Sequence, residues 1–360
     1  MSVGENTVLA ATTLMNMDLN TLLNSGTLAS EQRIELDADD SATNQAAGVL
    51  RAGHGSYVAV PTITNTGTWV ASNSSEHSSE WHFDTLVNNR GAVLSSVGAV
   101  TMSGSDTTSD SDSATRFNNN GRFISDRSLT AAITTVNNYN EFTVSRDEST
   151  SEASELTVDT LVNTGEIFAI DDLQVNDADS GDRGSIFTNF GSLQGNQNLA
   201  LSFDTLSLRS GQELSGALAS DSTADTGPTF TINLTNKLTL NELIFAGDNL
   251  VFNADGGLEV RPDGAVIANG DSTIETKGSA DIVNYGFLYA GEDMTLTAAS
   301  GDLGNFPTVR RVAGRDLGYS AVENRFYSEE QQIVQTNAEI RTVGDLTINA
   351  TNVVNSSDIR

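Results

Sequence analysis

Short runs in which apolar residues alternate with polar ones or threonine recur along the chain: Phe230-Thr-Ile-Asn-Leu234, Leu238-Thr-Leu240, Leu243-Ile-Phe245, Leu250-Val-Phe252, Leu258-Glu-Val260 and Met294-Thr-Leu296. This is the period of a β-strand with one face inward, and the runs are rich in β-branched residues. No stretch carries a sustained apolar stripe at helical spacing. Gly-Asp, Asn-Gly, Asp-Gly and Ser-Gly pairs separate the runs, and such pairs favour turns. The pattern predicts an all-β chain of strands two to five residues long.

One turn recurs. Asn-x-Gly stands at Asn24, Asn65, Asn89, Asn119, Asn163, Asn189 and Asn284, at intervals of 41, 24, 30, 44, 26 and 95 residues. A longer unit, Asp-Thr-Leu, begins at Asp84, Asp159 and Asp204. Degenerate units along a whole chain mark a repeat architecture. The intervals suit a coil of roughly 20–26 residues with some markers missing, within the range of solenoid repeats. Strands this short suit a parallel β-helix better than a sandwich. At about 4.8 Å per coil, about fifteen coils make a rod of roughly 70 Å. The asparagines are expected at equivalent tight corners, tolerating left-handed backbone and stacking their amides donor to acceptor from coil to coil.

The repeat divides the chain. Residues 1–155 read as irregular coils with two polar insertions, Ser103–Ser113 and Ser145–Glu155. These hold too few apolar residues to pack and are expected as loops at coil corners. Residues 156–303 read as regular coils. Residues 304–335 read as a loop insertion that combines Arg310, Arg311, Arg315 and Arg325 with Phe306, Tyr319, Phe326 and Tyr327. Packing against the coils is weighed above ligand recognition for it. Residues 336–360 read as a further coil, expected to continue beyond the chain.

That last segment, Ala338-Glu-Ile-Arg-Thr-Val-Gly-Asp-Leu-Thr-Ile-Asn-Ala-Thr-Asn-Val-Val-Asn355-Ser-Ser-Asp-Ile359, resembles the haemagglutinin repeats of filamentous haemagglutinin-like exoproteins. Gly291-Glu-Asp-Met-Thr-Leu-Thr-Ala298 followed by Gly301-Asp-Leu-Gly-Asn305 is similar to the same unit. The resemblance is strongest over 265–360 and fades toward the amino terminus. It implies a right-handed parallel β-helix in a large secreted or cell-surface adhesin, exported by two-partner secretion through an outer-membrane pore. The chain departs from that family in one respect: the secretion domain carries Asn-Pro-Asn motifs, and none of the four prolines here follows Asn. An internal stretch of the shaft, or a relative exported another way, is therefore expected.

Charge narrows the partners. There are 18 basic and 48 acidic residues, a net charge of −30, and the only lysines are Lys237 and Lys277. Such a chain is repelled by nucleic acid and by anionic membranes. The absence of cysteine rules out disulfides and thiolate chemistry. No run reaches the ~20 apolar residues of a membrane-spanning helix. Met1–Met17 lacks the basic start of a signal peptide.

Candidate chemistry is sparse. His77-Ser-Ser-Glu80-Trp-His82 gathers two imidazoles and a carboxylate in six residues, a possible metal set, although alternation places His77 away from Glu80 and His82. Exposed corner residues beside Trp81 are the plainer reading. Asp177-Ala-Asp179-Ser-Gly-Asp182 offers oxygen ligands at alternating positions, as calcium requires, but its glycine falls one place early for an EF-hand. Diffuse counter-ions around an acidic rod are the stronger expectation, so no cofactor is assigned. No Gly-x-Ser-x-Gly elbow occurs.

Two classes of function remain. One is a non-catalytic adhesive shaft that meets a glycan or protein on a host or neighbouring cell and can associate end to end. The other is a polysaccharide lyase or glycosidase on the same fold, which needs clustered carboxylates or bases across adjacent coils. The stalk of a contact-dependent toxin would share the shaft. The shaft is favoured, because 156–300 holds few basic groups to flank an acidic polysaccharide.

Overall fold

A computed structural model of the chain describes residues 1–105, 115–145, 153–177, 184–209, 213–218, 227–312, 316–320, 325–328 and 332–360. The described residues form strands and turns with no helix. Strands wind into a parallel β-solenoid whose coils have three faces. Thr62–Asn65, Thr68–Ser72 and Ser79–His82 supply the second, third and first faces in turn, and Thr85–Asn88, Val93–Ser96 and Val100–Ser103 repeat them one coil on. The third face is a 15-stranded parallel sheet, and the other two merge into one sheet of 25 strands.

Alternation explains the closure. In Leu243–Ala246, Ala265–Ala268 and Phe287–Ala290 every second residue is buried. The inward residues of all three faces form one continuous apolar core. Parallel register stacks like on like: Phe123 lies over Phe142, their rings 4.8 Å apart. Trp69 and Trp81 meet at 4.7 Å, and Trp81 Nε1 donates to Ser56 Oγ at 3.0 Å, which satisfies the buried indole.

Three expectations need correction. Strands are not all short: Leu14–Asn24, Arg33–Asn44, Met294–Asn305 and Leu346–Asn355 each cover two faces, and the pairings of the first two and of the last two shift register at the corner. Neither Leu14–Asn24 nor Arg33–Asn44 contains Gly or Pro, so the corner there is a bulge rather than a turn. Residues 1–155 are not irregular throughout; from Thr62 to Asn163 the second-face strands stay in unbroken register over four coil-to-coil steps.

The third correction concerns 304–335. Its described residues are not all loop but pair as a two-tier antiparallel ribbon, Thr308–Val312 with Gln332–Thr336 and, beyond it, Asp316–Ser320 with Arg325–Ser328. Its mixture of Arg and Gly hid the strand alternation of Thr308-Val-Arg-Arg-Val312. Of the polar insertions, 106–114 and 146–152 lie outside the described residues; Ser154 and Glu155 already belong to the strand Ser154–Thr157.

Candidate functional site

The most regular polar feature is internal. Each second-face strand from Thr62–Asn65 to Ile186–Asn189 ends on an inward asparagine. Asn24, Asn44, Asn65, Asn88, Asn119, Asn138, Asn163 and Asn189 are fully buried and stack in register. From Asn24 to Asn163 each Nδ2 donates to the next Oδ1 at 2.8–2.9 Å. Seven of these amides also reach a carbonyl at the start of a third-face strand, as Asn163 does to Ser192 O at 2.8 Å. The column breaks at Leu208, which follows Asn189 in register, and resumes as Asn284, Asn305 and Asn355. A buried amide is tolerable only when its donors and acceptors are met, and stacking meets them.

This geometry accounts for the motif. Asn24 Oδ1 accepts from Gly26 N at 3.2 Å and Asn284 Oδ1 from Gly286 N at 3.1 Å, so Asn-x-Gly is an Asx turn. The glycine is needed for close approach: a Cβ at Gly26 would stand 2.4 Å from Thr7 O of the adjacent coil, and one at Gly286 2.3 Å from Arg261 O. Left-handed backbone is not the reason. Among the described residues the only asparagine with positive φ is Asn6, outside the column.

Asn89 is the one marker misplaced by sequence. Its neighbour Asn88 occupies the column, while Asn89 Nδ2 points to Thr66 Oγ1 at 3.4 Å. The turn from Asn88 to the strand at Val93 is two residues longer, and Gly91 within it has φ of 83° and open space where a Cβ would be. Asn44, Asn138, Asn305 and Asn355 were missed because no glycine stands two residues on. Burial at the last position of a four-residue alternating strand is the signal that would have found Asn138.

The three histidines lie on neighbouring coils but do not converge. His77 stacks on His54 with centroids 4.3 Å apart, and its Nδ1 lies 3.1 Å from Ser74 Oγ. His82 Nε2 is 3.0 Å from Glu80 Oε1, and its Nδ1 is 2.9 Å from Ser103 Oγ on the next coil. Trp81 between them is buried in the core rather than at a corner. Glu80, His82 and Ser103 thus form a surface hydrogen-bond chain, with Tyr57 packed at 5.5 Å from the imidazole. Among the described residues no group of three or more histidines and acids is arranged to hold a metal ion.

Acidic groups stand both on strands, as Glu141, Glu166, Glu259 and Glu275 do, and at corners, as Asp271 and Asp293 do. Asp177 borders a cleft of about 370 Å³ with Ser202, Asn233, Asn253, Glu275 and Lys277, whereas Asp179 and Asp182 lie outside the described residues. Asp271 Oδ1 accepts Asp293 N at 3.0 Å and Asp293 Oδ1 accepts Asp345 N at 2.7 Å, so carboxylates cap successive coils. Beside this column, burial and then the charge of Asp271 raise the pKa of Asp248. The two lysines are matched to acids: Lys237 Nζ to Glu259 Oε2 at 2.7 Å and Lys277 Nζ to Asp255 Oδ2 at 3.0 Å.

One surface was not anticipated from the sequence. Tyr285, Phe287 and Tyr289 alternate along one segment and all face outward, half-buried. The rings of Phe287 and Tyr289 are 6.0 Å apart and near parallel. Tyr285 meets Phe306 at 5.8 Å, and the Arg341 guanidinium lies 5.9 Å from the Tyr289 ring. The alternation was legible; which alternate set faced outward was not.

Comparison with protein families, with curated proteins and with solved structures finds no match for this chain.

Proposed function

We propose that the chain is a non-catalytic shaft segment of a large secreted or cell-surface bacterial protein, holding attachment surfaces away from the cell. The observation that carries this reading is the continuous solenoid itself: one core and a buried asparagine column run through successive coils, while polar chemistry is scattered over the outside. Such rods work through extended surface. The ribbon between Asn305 and Ala338 leaves the corner between the second and third faces and is a natural display element. The resemblance of Gly291–Ala298 and 338–359 to haemagglutinin repeats supports export by two-partner secretion and an adhesive partner, a glycan or protein on another cell. The charge of −30 argues against nucleic acid and anionic membranes as that partner. The test is attachment: beads coated with the chain are expected to bind bacterial or host cells above albumin-coated beads. Equal binding across a panel of cells would sink the adhesive reading.

A second reading, a surface hydrolase, draws on the Ser103–His82–Glu80 chain, whose order is that of a serine nucleophile, a base and an orienting acid. Labelling by a fluorophosphonate that Ser103→Ala abolishes would favour it over the shaft.

A further inference from the structure

The aromatic segment is the edge of a larger apolar field. Leu243 and Phe245, Ala265 and Ile267, then Phe287 and Tyr289 occupy the outward positions of three consecutive third-face strands, in register. All six are apolar or aromatic and none is fully covered. The field ends at polar residues: Ser215 stands in register with Phe245 on one side, and Glu339 and Arg341 with Phe287 and Tyr289 on the other. Isolated apolar residues on a surface are ordinary, and cross-strand aromatic pairs stabilise sheets. Six contiguous apolar positions bounded by polar ones form a small apolar surface on a chain with net charge −30.

Size and charge select the occupant. Three strands about 4.8 Å apart, with outward residues about 6.6 Å apart along each, give a footprint on the order of 15 by 10 Å. That is far below the roughly 800 Å² per partner of a stable protein interface. A second copy would also bring another −30 to the contact, and an acidic polymer would be repelled in the same way. A footprint of this size suits a short oligosaccharide rather than a folded partner. The C–H face of a pyranose is polarised positively and suits the negative face of an aromatic ring. Its hydroxyls would reach Arg341, whose guanidinium lies over the Tyr289 ring, and Glu339 beside it, which supply a donor and an acceptor. We propose that the platform of Phe245, Phe287 and Tyr289, edged by Arg341, binds a neutral oligosaccharide by ring stacking. The proposal rests on the adhesive reading above and names its contact point. Sugars with equatorial hydroxyls, whose C–H face is unbroken, are the best fit.

The experiment is calorimetric titration of the chain with a β-1,4-linked glucose tetramer and a β-1,4-linked N-acetylglucosamine tetramer, with polygalacturonate as acidic control. At least one neutral tetramer is expected to bind and the acidic polymer not to. Phe287→Ser and Tyr289→Ser should each weaken binding at least about tenfold, and Tyr289→Phe by less than about threefold, since the ring carries the contact. Saturation transfer from aromatic protons of the unmodified chain to sugar C–H protons gives a readout independent of whether the variants fold. Absence of binding by both tetramers, binding that both serine variants leave unchanged, or a dimer in sedimentation that Phe287→Ser abolishes would overturn the proposal. Bead attachment separates the two readings: if attachment persists in a Phe287→Ser/Tyr289→Ser chain, the adhesive role stands without this site, and if tetramers bind while beads do not attach, the site stands without the adhesive role.

Discussion

Asn189 stands in register with Leu208, and its buried Nδ2 has no acceptor among the described residues. Every earlier amide in the column has one, so Asn189 carries the open end of the ladder. Asn189→Leu removes that donor and adds an apolar contact to Leu208, while Asn163 keeps Ser192 O at 2.8 Å. Asn163→Leu instead interrupts the column and leaves Asn189 Oδ1 without its donor. The second change should cost about 1–3 kcal/mol more than the first, the range for a buried group left unsatisfied. Urea unfolding of the two variants compares them directly, and equal losses would show that the column is not acting as a chain of bonds.

Asn88 and Asn89 test the corrected register. Asn88 is fully buried and bonded to both neighbouring coils, and Asn89 lies in the turn. Asn88→Ala should cost about 1–3 kcal/mol, and Asn89→Ala should stay within about 0.5 kcal/mol of the unmodified chain. Thermal unfolding followed at the strand band of the circular dichroism spectrum checks this. A larger loss at Asn89 would restore it as the structural marker.

The contrast shows what the sequence could and could not carry. Period-two alternation in Leu243–Ala246 or Phe287–Ala290 specified a strand with one buried face without further information. Asn-x-Gly found its column wherever the turn was short, as at Asn163, and slipped by one at Asn89 because a longer turn moved the glycine. The outward aromatics escaped because apolar alternation was read as inward by default. In Tyr285-Gly-Phe-Leu-Tyr289 the inward role belongs to Leu288, which the neighbouring coils decide. Antiparallel pairing in Thr308–Val312 was likewise set by a distant partner, Gln332–Thr336.

Ser272 presents the opposite case to the column. Its Oγ is buried with no hydrogen-bond partner among the described residues, between Leu250 and Met294 on adjacent coils. Ser154, at the equivalent place in an earlier coil, accepts Leu129 N at 3.0 Å through its hydroxyl. Ser272→Ala should therefore be neutral or stabilising by up to about 1 kcal/mol, and Ser154→Ala destabilising by about 1–2 kcal/mol. A loss at Ser272 matching that at Ser154 would mean its hydroxyl is satisfied in solution.

Asp248 gives a pH dependence of definite sign. Burial, then the charge of Asp271, raises its pKa in the folded chain, so the folded state holds this proton more firmly than the unfolded state. Between the ordinary carboxylate value and the raised one, folding takes up a proton, and stability falls as pH increases through that window. Below the ordinary value, about 3.9 for aspartate, the group is neutral in both states and costs nothing. Above the raised value the cost of a desolvated charge beside Asp271 is fully present. Asp248→Asn keeps the shape and removes the charge. It should raise the melting temperature at pH 7 and leave it unchanged at a pH below the ordinary aspartate range, with the gain growing across the window. Added salt should shrink the part due to Asp271, because that part is screened, and leave the part due to burial. Melting curves of the two chains at both pH values decide the matter: a gain that is equal at low and neutral pH would show that the substitution acts through packing rather than charge.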